Sequence, residues 1–489
     1  MKKILLATLL LCQSLIIAQN ESDFKVYESP VYQDKVKTDS VRAIYTSNSE
    51  RTGIVRNDKK HIVFDLFDEN LTNIHSKLIE TDRKETYIGD IFYNNEIKVF
   101  TETYPDRDVK VLSCYVLNLN DKTDRKIELS STKVDKKLAL FLNKKGTDFS
   151  MSPNFNYFSI TNYTIHSDEI FYHVSVFDSK SYELIYDQHI TRKENEFYSL
   201  SEIQIDNNKN VYLLGESFYN EDSPMLKSEK NRHFIVEKFT DKNYSEINLK
   251  LQNKYIKSLK IVVNGDKYNL YGFYSDSGLN AIKGVCNISI DMDEFEIIDK
   301  NFQDLPSQVY ADLFGTDKVD RKNGKELFNF KIDYILNDSQ QNVYLLAEEF
   351  YITYSSGFNY GVQKIEHYGD ILIIRCTPDG KLDWGRSIYK RDNRPSYNVF
   401  IKNENLHIIL NSGKNLKELN DGRTKASKVF FETSALYDFV YKSDGEEIIN
   451  KIQNNKDKTY YPPNYGNYVD GKFIMISDSH NERRFMTLE

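Results

Sequence analysis

The chain has 489 residues, 40% hydrophobic and 28% charged, with 73 acidic against 65 basic side chains and a formal net charge of −8. That balance argues against nucleic acid or an anionic bilayer as the main partner, since both are held through basic surfaces. Four cysteines in such a length rule out a disulfide scaffold.

Reading from the start, Lys2 and Lys3 precede the apolar run "ILLATLLLCQSLII", and Ala18 ends a cleavage site before Gln19. This is the pattern of an export signal over residues 1–18, which leaves 19–489 as a single domain outside the cytoplasm, secreted or periplasmic. The run is too short to span a bilayer. Lipid anchoring through Cys12 is disfavoured, because Leu11 stands where a small residue is expected and the apolar run continues past the cysteine. No later stretch reaches eighteen uninterrupted apolar residues, so the mature chain is expected to lack a transmembrane segment.

Beyond the signal, 35 tyrosines, 29 phenylalanines and few stretches of helical period favour strands. The pentapeptide "NVYLL" occurs at 210–214 and again at 342–346, and it has relatives in "GIV" at 53, "EIKVF" at 96, "NYFSI" at 156, "NLYGF" at 269, "NLHII" at 405 and "GKFIM" at 471. Interleaved with this series are seven apolar strands that end in a tight polar turn and restart, such as "YHVSVFDSKSYELIYDQHI" and "ILIIRCTPDGKLDWGRSI". Asp, Asn, Gly and Ser supply those turns because they tolerate left-handed or side-chain-bonded backbone. Each repeat therefore holds four antiparallel strands, the content of a propeller blade. The expected fold is all-β: a β-propeller of eight blades, with seven the alternative. The eighth repeat runs out after "RRFMTL" (483–488), so "FKVYESPVY" (24–32) is expected to supply its outer strand and close the ring. Cys114, Cys286 and Cys376 lie inside apolar strands and read as small buried hydrophobes, with no histidine or helix start nearby to make a nucleophile of any of them.

Two hairpins carry a family resemblance. "SPNFNYFSI" (152–160) resembles the hairpin of propeller repeats in Tol-associated and dipeptidyl-peptidase-type proteins, and "TPDGKLDWGRSI" (377–388) is similar to that of secreted bacterial propeller repeat proteins. Each likeness covers about ten residues. It implies the fold and brings no activity with it.

In a propeller, the connections from second to third strand and from fourth strand to the next blade leave on one face. The long segments 218–232, 350–369, 411–430 and 304–326, all read as loops, should gather there, and long loops on a rigid scaffold are where binding usually resides. The 350–369 segment offers Tyr351, Tyr354, Phe358, Tyr360 and Tyr368 among Ser, Gly and Asn, a composition suited to protein or sugar surfaces, although the tyrosines could equally extend the two flanking strands. Lys414, Lys417 and Arg423 add a small basic patch.

Signatures of chemistry are sparse. Neither "HExxH" nor a Cys/His cluster is present, and no cofactor or metal is expected. The turn "DMDEFE" (291–296) lacks the glycine and ligand spacing of a calcium loop. There is no "GxSxG", and the repeats leave no room for the hydrolase domain of dipeptidyl-peptidase relatives. Carboxylate pairs such as Asp65 and Asp68 do not identify a glycosidase without geometry. The leading expectation is a non-enzymatic binding module for a protein or glycan of the cell envelope or exterior. A polysaccharide hydrolase or lyase working from the central channel is the alternative, and it requires carboxylates, or a tyrosine and histidine, converging at the channel mouth.

Overall fold

The computed structural model describes residues 20–489 apart from 22–23, 37, 39, 48–49, 59, 83–84, 107, 134–146, 167–168, 193–195, 220–231, 250, 252–253, 265–266, 279, 358–360, 391–396, 422, 427–432 and 479–481. The export signal, Cys12, Phe358, Tyr360 and nearly all of 218–232 lie outside the described residues.

Eight antiparallel four-stranded blades follow one another along the chain, and their strands are named a to d from the axis outward. Blades 1 to 7 span 40–80, 86–133, 147–192, 196–249, 255–304, 330–388 and 397–454. Blade 8 is built from both ends of the chain. Its strands a to c are Asn467–Val469, Lys472–Ile476 and Phe485–Leu488, and Val26–Glu28 pairs antiparallel with the last of these as strand d. The expected closure by the N-terminal segment is therefore present.

The repeated pentapeptide now has a physical reason. Both copies begin strand b, in blade 4 (Val211–Tyr219) and blade 6 (Val343–Gly357), and every apolar residue in them is at most 1% exposed. Tyr212 and Leu214 pack towards blade 5, whereas Val211 and Leu213 pack towards blade 3. In blade 6, Tyr344 and Leu346 likewise face blade 7 while Val343 and Leu345 face blade 5. A strand buried on both faces cannot alternate with polar residues, so it reads as a continuous apolar run. The core is divided accordingly into eight clusters, one at each blade junction.

The turn that precedes each copy is also the same. Asp206 Oδ1 accepts the backbone N–H of Asn208 and of Asn210, both at 2.8 Å, and its Oδ2 accepts the Asn210 amide at 2.7 Å. Asp338 does the same for Gln340 and Asn342. The turn at 291–296 is a plain hairpin turn of this kind, with Asp291 Oδ1 taken up by the N–H groups of Asp293 and Glu294.

The ring closes on a buried charge cluster. Arg56 of blade 1 reaches Asp65 at 2.7 Å and Asp34 of the N-terminal link at 3.1 Å, and Arg483 of blade 8 reaches the same Asp34 oxygen at 2.8 Å. All four side chains are at most 5% exposed. Val41, Ile44 and Phe67 of blade 1 meet Ile474, Ile476 and Phe485 of blade 8 beside it. Cys114, Cys286 and Cys376 are buried and unpaired, and burial pushes each thiol up to about 12. Among the described residues no helix is long and apolar enough to cross a membrane.

Two expected loops are ordered elements. The 304–326 segment contains helix α1 (Ser307–Phe314) and a short helix α2 (Val319–Lys322). In "SQVYADLF", Val309, Tyr310 and Leu313 fall on one face at helical spacing, and all three are buried. The 350–369 segment is a ladder. Strands b and c of blade 6, Val343–Gly357 and Gly361–Cys376, stay paired out to Gly357 opposite Gly361.

Candidate functional site

Because the strands of every blade run in the order a to d, the a–b and c–d turns leave on one face of the wheel and the b–c and d–a connections on the other. On the first face all connections are short. The second carries α1 and α2, the 411–430 segment, the N-terminal link and the blade 6 extension, so the described long segments do share one face.

The blade 6 extension is an arm. Strand a pairs with strand b only as far as Glu349, and strand d pairs with strand c only from Ile371, so among the described residues 350–357 and 361–370 have each other as sole ladder partners. At about 3.3 Å per residue this two-stranded arm stands roughly 25 Å beyond the blade. A bulge at Glu348/Phe350 marks its foot. Gly369 lies opposite the bulge, where a Cβ would come within 2.1 Å of Glu349 Oε2.

The predicted aromatic residues divide between the two sides of the arm. Phe350 pairs with Tyr368, their ring centroids 5.1 Å apart, while Tyr351 stacks on His367 at 4.6 Å and 10°. Neighbouring positions on a strand point to opposite faces, so Tyr351 and Tyr368 do not form one surface. The Tyr368 hydroxyl donates to Glu366 at 3.2 Å, and Thr353 Oγ1 meets His367 Nε2 at 2.8 Å. Tyr354 sits in strand b opposite Lys364.

At the foot, polar groups are tied across blades 6 and 7. Lys390 is buried, its ammonium bonded to Glu348 and its backbone N–H donating to Asp370 at 3.0 Å. The Tyr397 hydroxyl donates to Asp333 at 2.9 Å, and that of Tyr334 to the Tyr397 carbonyl at 3.1 Å. Desolvation pushes the Asp333 carboxyl up even against the Tyr397 bond and the charge of Lys331.

Next to this foot, α1 is fastened from three sides. Arg386 Nε and the backbone N–H of Ser387 donate to Asp312 at 2.8 and 2.9 Å, and Thr316 N–H donates to the Asp421 carbonyl at 3.2 Å. Arg423 donates to the Leu313 carbonyl at 2.8 Å, lies 4.4 Å over the Tyr389 ring and is paired with Asp421. A cation at the C-terminal end of a helix offsets its unpaired carbonyls. Arg423 is thus engaged as a tether, whereas Lys414 and Lys417 remain exposed on the surface.

Between α1 and the foot of the arm is a cavity of about 490 Å³ walled by Tyr310, Phe314, Phe328 and Phe330, with Lys322 and Glu349 at its edge. Phe328 is 56% exposed, and the Lys322 ammonium lies 4.9 Å over the Phe314 ring. Sequence reasoning missed this pocket because it took 304–326 for a loop; the helical spacing of "QVYADLF" was the available signal.

Among the described residues the inner strands carry three carboxyls that desolvation pushes up, Asp90, Glu202 and Asp333, with Asp90 reaching about 6. They stand at three separate junctions. Asp90 accepts the Tyr45 hydroxyl at 2.6 Å, Glu202 accepts Ile261 N–H at 2.8 Å, and Asp333 is held by Tyr397. Among the described residues no three His, Cys, Asp or Glu side chains gather as a metal ion would need.

No family model matches the chain, and no curated protein matches it significantly. Solved structures similar to it include the polysaccharide lyase Uly1, with a TM-score of 0.41, 10% identity and coverage of 82% of this chain and 89% of that one. Prolyl oligopeptidase B from Galerina marginata has a TM-score of 0.40 at 10% identity, covering 89% of this chain and 54% of the other, so the chain spans about half the length of that enzyme. TolB from Acinetobacter baumannii has a TM-score of 0.28 at 10% identity over 69% of this chain and 65% of that one. Likenesses at this level carry no argument about activity or partner.

Proposed function

We propose that the protein is a non-enzymatic binding module of the cell envelope or exterior. It captures a protein or glycan on its loop-bearing face, with the blade 6 arm and the aromatic pocket at its foot as the contact surface. The observation that carries this reading is the concentration of elaboration on one face of an otherwise regular wheel. There a paired arm presents Tyr351, His367 and Tyr368 beside a pocket walled by four aromatic rings. Rigid aromatic side chains offer large contact area at low entropic cost, and pockets of this size accommodate a sugar ring or a side-chain anchor.

The test replaces 350–369 by a two-residue turn and compares variant and wild type on a glycan array and against proteins of the native envelope. The account expects capture of proteins and neutral glycans to vanish with the melting temperature unchanged, and full retention of that capture contradicts it. The competing reading is a polysaccharide hydrolase or lyase, which needs carboxylates converging at the channel mouth, whereas the raised carboxyls Asp90 and Asp333 stand at separate junctions. New reducing ends or unsaturated products from an acidic polysaccharide would support that reading over ours.

A further inference from the structure

Away from the arm, the junction of blades 1 and 2 holds a second group of polar side chains on the inner strands. The strands are Ser40–Thr46 and Thr86–Tyr93, and both start at the loop-bearing face. Asp90 takes the hydroxyls of both neighbouring tyrosines, Tyr45 at 2.6 Å on Oδ2 and Tyr87 on Oδ1. The Tyr45 ring stacks on Phe92 at 5.1 Å and 14°, which fixes the depth at which its hydroxyl meets Asp90. Arg42, near the start of its strand, lies with its guanidinium 5.2 Å over the Tyr87 ring. Its Nε donates to Asn57 Oδ1 at 2.6 Å, and its two terminal nitrogens have no partner among the described residues. Arg42 is exposed, and Tyr45, Tyr87 and Asp90 are partly so.

This group is more than a structural tie. A junction needs only the Tyr45 to Asp90 bond to satisfy its polar atoms. Here an exposed guanidinium is held in a fixed orientation by the ring beneath it and by Asn57, with its outer fork unused, and that fork matches a carboxylate in two-point contact. An amide, two phenol hydroxyls and a carboxyl follow along the same wall, the mixture of donors and acceptors that ring hydroxyls engage. We infer that Arg42, Tyr87, Tyr45 and Asp90 form a subsite at the channel mouth for the carboxylate-bearing ring of an acidic saccharide. The Arg42 fork takes the carboxylate and the Tyr–Asp group takes the hydroxyls.

Proton linkage gives this subsite a distinguishing property. Arg42 is the charged group, and Tyr45 and Tyr87 are the titratable ones, that meet Asp90. Its partner on strand b is Val99, and on the blade 3 side Phe149 packs against the adjacent Gly89. An ionised Asp90 repels an incoming carboxylate and a neutral one does not. Since burial lifts this carboxyl to about 6, binding strengthens as the pH falls through that value.

The inference goes beyond the arm-based reading and uses a different part of the wheel, so the experiment is run on the wild type and on the armless variant alike. Trigalacturonate is titrated at pH 5.0 and 7.5 by calorimetry, with galactotriose and a glutamate-rich peptide as comparison probes. Expected results are saturable binding of trigalacturonate in both proteins, at least tenfold weaker binding of both other probes, and several-fold tighter binding at the lower pH. Arg42→Ala should lose at least tenfold in affinity and Arg42→Lys somewhat less. Asp90→Asn should bind at pH 7.5 as the wild type does at pH 5.0. Equal affinity for the neutral sugar or the peptide, an unaffected Arg42→Ala, or absence of trigalacturonate binding overturns the assignment. Loss of binding in the armless variant alone would move the site to the arm and equally overturn it.

Discussion

The two faces of the wheel are held by different kinds of interaction. On the turn face each connection is fixed from within. An Asp, Asn or Thr accepts backbone N–H groups two to four residues ahead, as Asp68, Asn118, Asp178, Asp206, Thr240 and Asp338 do. Left-handed residues such as Leu71, Lys122, Phe155, Tyr182, Lys209 and Gln341 complete these turns. On the loop face the ties run between residues far apart in sequence: Arg483 to Asp34, Arg386 to Asp312 and Arg423 to Leu313. A face closed by its own turns has little freedom to change. A face assembled from distant tethers can carry an arm, a helix and a pocket without disturbing the blades beneath them.

The contrast ranks the expected effects of mutation. The largest should come from the seam on the loop face. Asp34→Ala leaves Arg483 buried without its carboxylate partner and Arg56 with the Asp65 carboxylate alone, and unfolding by denaturant should show a loss of about 3–5 kcal/mol. Deleting 19–33 should lower the melting temperature further still, because it removes strand d of blade 8, and an unchanged melting temperature would mean the ring is not sealed there. Next, Arg386→Ala should cost about 1–3 kcal/mol by leaving Asp312 with only the Gln308 amide and the Ser387 N–H, and amide exchange should quicken in α1 with the blades unaffected. On the turn face, Asp206→Ala should cost about 1–2 kcal/mol, confined to one turn. Smallest and opposite in sign, Lys122→Gly should gain about 1 kcal/mol by relieving a left-handed residue at φ 65°.

Acidity separates the turn face from the inner strands as well. Backbone N–H bonds, chiefly that of Ser181, hold the Asp178 carboxyl below its ordinary value, so its contribution to stability is present at neutral pH and fades in acid. Asp90 has the opposite sign. Raised by desolvation to about 6, it favours the folded state below the ordinary carboxyl range, and this contribution is lost as the pH rises through 6. Asp90→Asn should therefore melt at a higher temperature relative to wild type at pH 7.5 than at pH 4.5.

This division also explains what was legible in the sequence. All eight strand-b segments and all seven c–d hairpins could be read because burial on both faces writes an unbroken apolar run and each turn carries its own Asp, Asn or Gly. Closure by 24–32 was readable because the eighth repeat lacked a strand. The seam charges were not, since Asp34 and Arg483 lie 449 positions apart and neither has a local signature. The arm tyrosines were visible as composition, but which side each one faces depends on ladder register and on the bulge at Glu348/Phe350. Arg423 read as open basic surface because its partner, a helix-end carbonyl, sits 110 residues earlier.

Exposed or partly exposed aromatic residues occur on both faces, which allows a direct test of the proposed binding role. Phe328, Tyr351 and Tyr368 mark the loop face, while Phe155 and Tyr244 mark the turn face, each 37% exposed. Hydroxyl-radical footprinting of the protein with and without envelope material should show protection of the first set alone. Protection of Phe155 and Tyr244 with the loop face left reactive would place the working surface on the opposite side of the wheel and contradict the account.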